Sequence, residues 1–246
     1  MGELLSLHGV GKSYRRGGRL LRVLVDASLE VGAGEVGAVV GSRDEGKTTL
    51  LKIAAGIETP DAGEVRLQER ELTRLSDEQR SRLLGDEIAW THRDGTGVKL
   101  KVLDYLALPL VLGRGHGRRQ ARELARRALE RVGAAGSAER RWAELSDWEQ
   151  VLVGLARGIV CEPRLLVVDS LIDGLGMRRT REANELLLSL VRELGCGVLM
   201  SASDLEAVLI ADRVWSLERG QLGVLSEQAV TEAQIIEFPR PARADG

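Results

Sequence analysis

The sequence predicts an α/β protein: a parallel-sheet core, a small β lobe at the front and a helical insertion. Three observations carry this. "RLLVVD" and "GVLMSA" are short apolar runs separated by "RTREANELLLSLVRELG", whose apolar residues fall at helical spacing. Strand, helix and strand in that order imply a parallel, right-handed crossover. Val36 to Val40 form a further apolar strand that ends at Gly41 and gives way to a helix near Gly46. From about Asp77 to Ile159 the pattern reads as helical.

The elements follow in order. "LLSLHGVGKSY" and "RVLVDASLEV" alternate loosely and flank the glycines at 17–18, which predicts two strands and a turn. The helix after Gly46 runs through "KTTLLKIAAG" and stops at Gly56, a residue suited to the left-handed cap. "TPDAGEVRLQER" reads as a turn and a strand. "LDYLALPLVLG" and "RRQARELARRALERVGA" have helical spacing, and Gly133 ends the second. The tail "EFPRPARADG" has the composition of a disordered segment.

Bulk properties narrow the class. A chain of 246 residues with 43% hydrophobic residues buries a sizeable core. Net charge is −2, so no global basic excess points to nucleic acid. The cluster Arg118, Arg119, Arg122, Arg126, Arg127 and Arg131 is interleaved with Glu123 and Glu130 and reads as a solvated helix face. Cys161 and Cys196 are too few for a disulfide framework and fit a reducing compartment. The N-terminus lacks the apolar core of a signal peptide, and no apolar run approaches the ~18 residues of a membrane span. The expectation is a cytoplasmic protein that meets a membrane only through a partner.

"GSRDEGKTTL" fits G-x-x-x-x-G-K-[ST] with Gly41, Gly46, Lys47 and Thr48, between a strand and a helix as that pattern requires. Backbone N–H groups of Ser42, Arg43, Asp44, Glu45 and the helix start would face phosphate oxygens. Lys47 would reach the outer phosphates, with Thr48 on Mg²⁺ and Thr49 beside it. Asp44 and Glu45 bring repulsion unless they point outward. Asp169 ends the buried run "LLVVD" and suits the Mg²⁺ shell. The next residue, Ser170, is a poor general base at neutral pH.

On these motifs the chain resembles an ATP-binding subunit of an ABC transporter, in the style of lipoprotein- and macrolide-exporter ATPases. The resemblance covers about residues 3 to 225. It implies a P-loop NTPase fold with a RecA-like core, an N-terminal antiparallel β lobe and a helical subdomain at about 77–159. Residues 1–225 would form one nucleotide-binding domain and 226–246 an extension. Tyr14 in "GKSY" falls where an aromatic stacks on adenine. "ELSDWEQVLVGLARGIVCEPRLLVVD" resembles a signature helix leading into Walker B, and "ADRVWSLERGQL" the strand pair after the switch region. The implied ligands are ATP and Mg²⁺. The implied partners are membrane permease subunits and a second ATPase subunit, like or unlike, with the complex on the inner face of the cell membrane.

The departures fall on the chemistry. Arg93 in "IAWTHRDG" replaces the expected glutamine, or His92 if the register moves by one. The signature Leu-Ser-Gly-Gly-Gln reads Leu145, Ser146, Asp147, Trp148, Glu149. Ser170 stands at the catalytic glutamate position, Ser203 at the switch histidine, and Gly176 at the D-loop aspartate. The combination implies a subunit that holds nucleotide and hydrolyses it poorly. Two alternatives stand beside it: a scaffold in which the phosphate loop is a relic, and a slow ATPase that uses Asp173 as base.

Overall fold

The computed structural model describes residues 2–93 and 99–225. The tail expected to be a disordered extension lies outside them. In chain order the elements are β1 (Glu3–Arg16), β2 (Arg19–Gly32), β3 (Val36–Val40), α1 (Lys47–Ala54), β4 (Ala62–Leu67) and β5 (Arg70–Glu71). There follow α2 (Asp77–Asp86), β6 (Ile88–His92), α3 (Val102–Leu112), α4 (Arg118–Arg131) and α5 (Asp147–Ile159). The chain continues through β7 (Leu165–Asp169), α6 (Met177–Leu194), β8 (Gly197–Ala202), β9 (Arg213–Glu218) and β10 (Gln221–Leu225).

Two sheets result. The front sheet is antiparallel, in the order β2-β1-β4-β5. Gly17 and Gly18 both take positive φ, 56° and 76°, the turn that matches strand twist in a two-residue hairpin. The central sheet runs β10-β9-β3-β8-β7-β6, parallel except for β10.

Every residue of β3, β7 and β8 is buried, as expected of a parallel sheet covered on both faces. Side-chain alternation divides these strands between two cores. Val36, Ala38, Val40, Leu166, Val168, Val198 and Met200 face α3 to α6. Val39, Leu165, Val167 and Leu199 face α1 and the front sheet.

The stretch from Asp77 to Ile159 is not helical throughout, which corrects the sequence reading. Ile88–His92 is a strand that joins the sheet edge beside β7. Five residues with mixed polarity give no periodicity to detect. What holds them is pairing with a strand more than seventy residues away, and the Thr91 hydroxyl, which donates to the Gly154 carbonyl at 2.7 Å. Trp142 and Trp215 are buried, as their size favours, whereas Trp90 is half-buried.

Candidate nucleotide site

The register of the parallel strands assembles the site. Asp169 pairs with His92 on one side and Ser201 on the other, and Ser201 pairs with Val39. The residues that follow β3, β6, β7 and β8 therefore converge at the carboxyl end of the sheet, where open α/β sheets bind ligands. They line a cleft of about 890 Å³.

The phosphate loop fits its backbone tightly. A Cβ on Gly41 would lie 2.5 Å from the Leu217 carbonyl oxygen, and Gly46 has φ 104°. Lys47 is buried, and its Nζ donates to the carbonyls of Gly41 and, at 2.9 Å, Ser42. Burial pulls the Lys47 pKa down, while Asp173, Asp169, Glu45 and Asp44 oppose that shift. The two loop acids separate in space. Glu45 accepts from the Arg219 backbone N–H at 2.6 Å, at the β9–β10 turn, whereas Asp44 faces the cleft with φ 68°.

Thr48 Oγ1 donates to Asp169 Oδ1 at 3.2 Å, and Ser201 Oγ donates to the same oxygen at 2.8 Å. The Thr48–Asp169 separation suits adjacent oxygens of an octahedral Mg²⁺ shell, about 2.9 Å apart for metal–oxygen distances of about 2.0–2.1 Å. A hydroxyl and a carboxylate are also the hard donors this ion takes. Together with a loop whose glycines leave no room for a Cβ, the residues present fit Mg-nucleotide.

The far wall differs in chemistry. Ser170 holds φ 49°, a left-handed conformation that bulky residues avoid. Its N–H donates to Ser201 Oγ at 3.1 Å, and its own hydroxyl lies 3.4 Å from the same atom. Ser203 binds Asp173 twice, through its N–H at 3.1 Å and its hydroxyl at 2.6 Å. Arg93 lines the cleft, and its Nη1 is buried without a hydrogen-bond partner. His92 also faces the cleft and packs at 6.3 Å against Trp90.

Two predicted groups lie off this cleft. Tyr14 is not among its lining side chains; the phenol donates to Glu58, lies 3.4 Å from Thr49 Oγ1, and Lys12 sits 5.6 Å from its ring centre. The signature-like residues begin α5. Ser146 caps the helix by accepting from the Glu149 N–H at 3.3 Å, and Glu149 Oε2 accepts from the Ser146 N–H and hydroxyl, both at 2.8 Å. Asp147 is exposed, and Arg179 lies 4.5 Å over the Trp148 ring. These bonds from Ser146, the backbone one first, hold the Glu149 pKa down.

Sequence reasoning missed Ser201, which fixes Asp169, and Trp90, Val23 and Arg16 in the cleft wall. A serine inside the apolar run "GVLMSA" was the one available signal. Val23 and Arg16 come from the front lobe, which local pattern cannot place.

A family model described as "ABC transporter" matches residues 24–172. The lipoprotein-releasing system ATP-binding protein LolD of Cereibacter sphaeroides is 36% identical over 225 residues, covering 90% of this chain and 100% of that protein. The protein of the same name from Pseudomonas fluorescens is 32% identical over 220 residues, covering 89% and 96%. Among solved structures, the dimeric bacterial ABC transporter cassette MJ0796 superposes with a TM-score of 0.81 at 24% identity, covering 89% of this chain and 96% of that one. Its post-hydrolysis dimer bound to ADP and Pi gives 0.80 at 23% identity over the same shares. Motif, cleft and likeness agree over the same residues, and the chain belongs to the ABC transporter family with the fold of its ATP-binding cassettes.

Proposed function

We propose that this chain is an ATP-binding subunit of an ABC transport system that holds Mg-ATP and hydrolyses it poorly. One observation carries the reading. The residues that follow β6, β7 and β8 into the cleft, Arg93, Ser170 and Ser203, are a cation and two hydroxyls, none a base at neutral pH, and the one imidazole of the cleft wall, His92, packs against Trp90. Asp169 and Asp173 are already accepting hydrogen bonds from hydroxyls. A missing general base lowers a rate by about 10²–10⁴. Bound Mg²⁺ would neutralise phosphate charge; Lys47 and the loop amides orient the phosphates whether or not the bond is cut.

The α5 N-terminus supports the same reading. In a head-to-tail dimer this helix end would face the partner's nucleotide. Here the Glu149 carboxylate sits at the helix start and accepts from Ser146, the Glu149 N–H is taken by Ser146 Oγ, and Asp147 and Trp148 occupy positions where glycines would let backbone approach. Both composite sites of a dimer containing this chain would be weakened, and of the two arrangements a heterodimer with an intact ATPase leaves more activity.

Residues 1–225 would act as one nucleotide-binding domain, docking on permease subunits through the segment around α3 to α5, at the cytoplasmic face of the membrane. No helix among the described residues is long and apolar enough to cross a membrane, so membrane contact would come through partners. The relatives named for lipoprotein release favour a system of that exporter type. A relic loop has no physical need for Lys47 and Thr48, which argues against a pure scaffold.

Calorimetric titration of Mg-ATP into the full chain tests this, with Lys47→Ala as control and phosphate release followed in parallel. Micromolar binding lost in Lys47→Ala, without phosphate release, is expected. No binding by folded protein would favour the scaffold. Turnover that disappears in Asp173→Ala would make Asp173 the base instead.

A further inference from the structure

Arg93 has the wrong chemistry for the position it holds in the family pattern. A glutamine there offers an oxygen to a cation; a guanidinium offers only N–H donors and a fixed positive charge. It cannot join a metal shell, and near one it repels the ion.

Its setting is also unusual within this chain. β6 ends at His92, paired with Asp169, so Arg93 emerges beside the end of β7. The guanidinium lies against the backbone after Asp173, with Nη2 3.9 Å from where a Gly174 Cβ would sit. Nη1 is buried and has no hydrogen-bond partner. Among the described residues no carboxylate lies within 4.0 Å of it, although Asp169 and Asp173 line the same cleft. A buried, charged donor without an acceptor is costly to maintain. The cleft around it is positive as well: Arg16, Arg43, Lys47, Lys52 and Arg93 face Asp44, Asp169 and Asp173.

We infer that Arg93 is a built-in receptor for the terminal phosphate of a nucleoside triphosphate and takes over part of the divalent ion's role, so that this site holds ATP with little dependence on Mg²⁺. Turned toward the cleft that it lines, the guanidinium presents the orphaned Nη1–H to a phosphate oxygen. Arginine suits this task because its donors are planar and its charge is permanent. A site that grips the triphosphate without needing to polarise it for attack is consistent with the loss of a base at Ser170. The inference rests on the nucleotide-holding reading above and extends it to how the nucleotide is held.

The experiment is titration of ATP into the full chain in excess EDTA and in excess Mg²⁺, by calorimetry, for wild type, Arg93→Gln and Arg93→Lys. A charge-assisted hydrogen bond of about 1.5–3 kcal/mol corresponds to roughly 10- to 150-fold in affinity. Wild type is expected to bind in EDTA within about tenfold of its affinity in Mg²⁺, a smaller gap than the loss of one such bond allows. Arg93→Gln is expected to lose roughly tenfold or more in EDTA and much less in Mg²⁺, with Arg93→Lys between the two. ADP, lacking the terminal phosphate, is expected to bind wild type and Arg93→Gln alike in EDTA. Equal ATP affinities of wild type and Arg93→Gln in EDTA, or wild-type binding abolished by EDTA, would overturn the inference while leaving nucleotide holding intact. No binding by folded wild type in either condition would overturn both.

Discussion

At the residue scale, the phosphate loop is shaped by what cannot be added to it. A Cβ at Gly41 meets the Leu217 carbonyl oxygen at 2.5 Å, backbone against backbone, so neither side can swing away. At Gly46 the obstacles are Val23 Cγ1 at 2.8 Å and the Val23 carbonyl at 2.9 Å, with φ at 104° besides. Gly41→Ala should therefore destabilise the chain by about 1–3 kcal/mol, the usual range for overpacking a tight interior. Urea denaturation reads this directly, and an unchanged midpoint would show that β9 yields to the loop. The same scale explains why the loop's acids are tolerable. Glu45 is drawn out to the Arg219 N–H, and only Asp44 of the two remains in the cleft. Beyond the ends of β7 and β8, Asp173 and Ser203 hold each other, joining the two loops that follow these strands.

At the element scale, α5 behaves as a self-contained helix start. Ser146 and Glu149 form a complete capping box, which by itself stabilises a helix end. The box takes up the N–H groups of Ser146 and Glu149 and places a carboxylate at the helix start. Arg179, near the start of α6, clamps Trp148 from one side and pairs with Glu182 on the other. Replacing Asp147 and Trp148 together by glycine would clear charge and bulk from the helix start while keeping the Ser146 cap. We expect the ATPase rate of a heterodimer containing this chain to rise, measured as phosphate release against the unmodified heterodimer. An unchanged rate would mean the signature is not what limits turnover. α4 illustrates the opposite case, a charged face most of whose arginines pair within the chain. Arg126 and Arg127 are met by Glu123 on the same helix, Arg122 by Asp104 on α3 and Arg131 by Glu193 on α6.

At the scale of the whole molecule, the central sheet separates two apolar cores and is dry on both faces. Both cysteines lie buried on the helical side. Burial raises both thiol pKa values; Arg114 and Arg157 partly offset this at Cys161, and a backbone hydrogen bond does so at Cys196. A thiol that stays neutral in the folded chain but ionises when unfolded ties stability to pH. Its contribution is complete below the ordinary value of 9.0 and is lost as pH rises from there through the folded value. The urea midpoint should fall more steeply with alkaline pH in wild type than in the Cys161→Ala, Cys196→Ala double variant. Equal slopes would show that other groups govern the alkaline limb. Alkylation at neutral pH should leave both thiols unmodified until the chain unfolds.

The sequence by itself determined the phosphate loop, the buried strand that ends at Asp169, the βαβ order around α6, and the presence of Ser170 and Ser203 just past β7 and β8. These are local matters, decided by periodicity, glycine positions and side-chain type within a few residues. Only the tertiary structure decided that Ile88–His92 is a strand, that Ser201 holds Asp169, that Glu45 turns away, and that half-buried Arg93 lines the cleft with its Nη1 lacking a hydrogen-bond partner. Each of these depends on register between strands far apart in the chain. A five-residue strand of mixed polarity carries too little pattern to declare its partner, and a side chain's partners exist only once the sheet has closed.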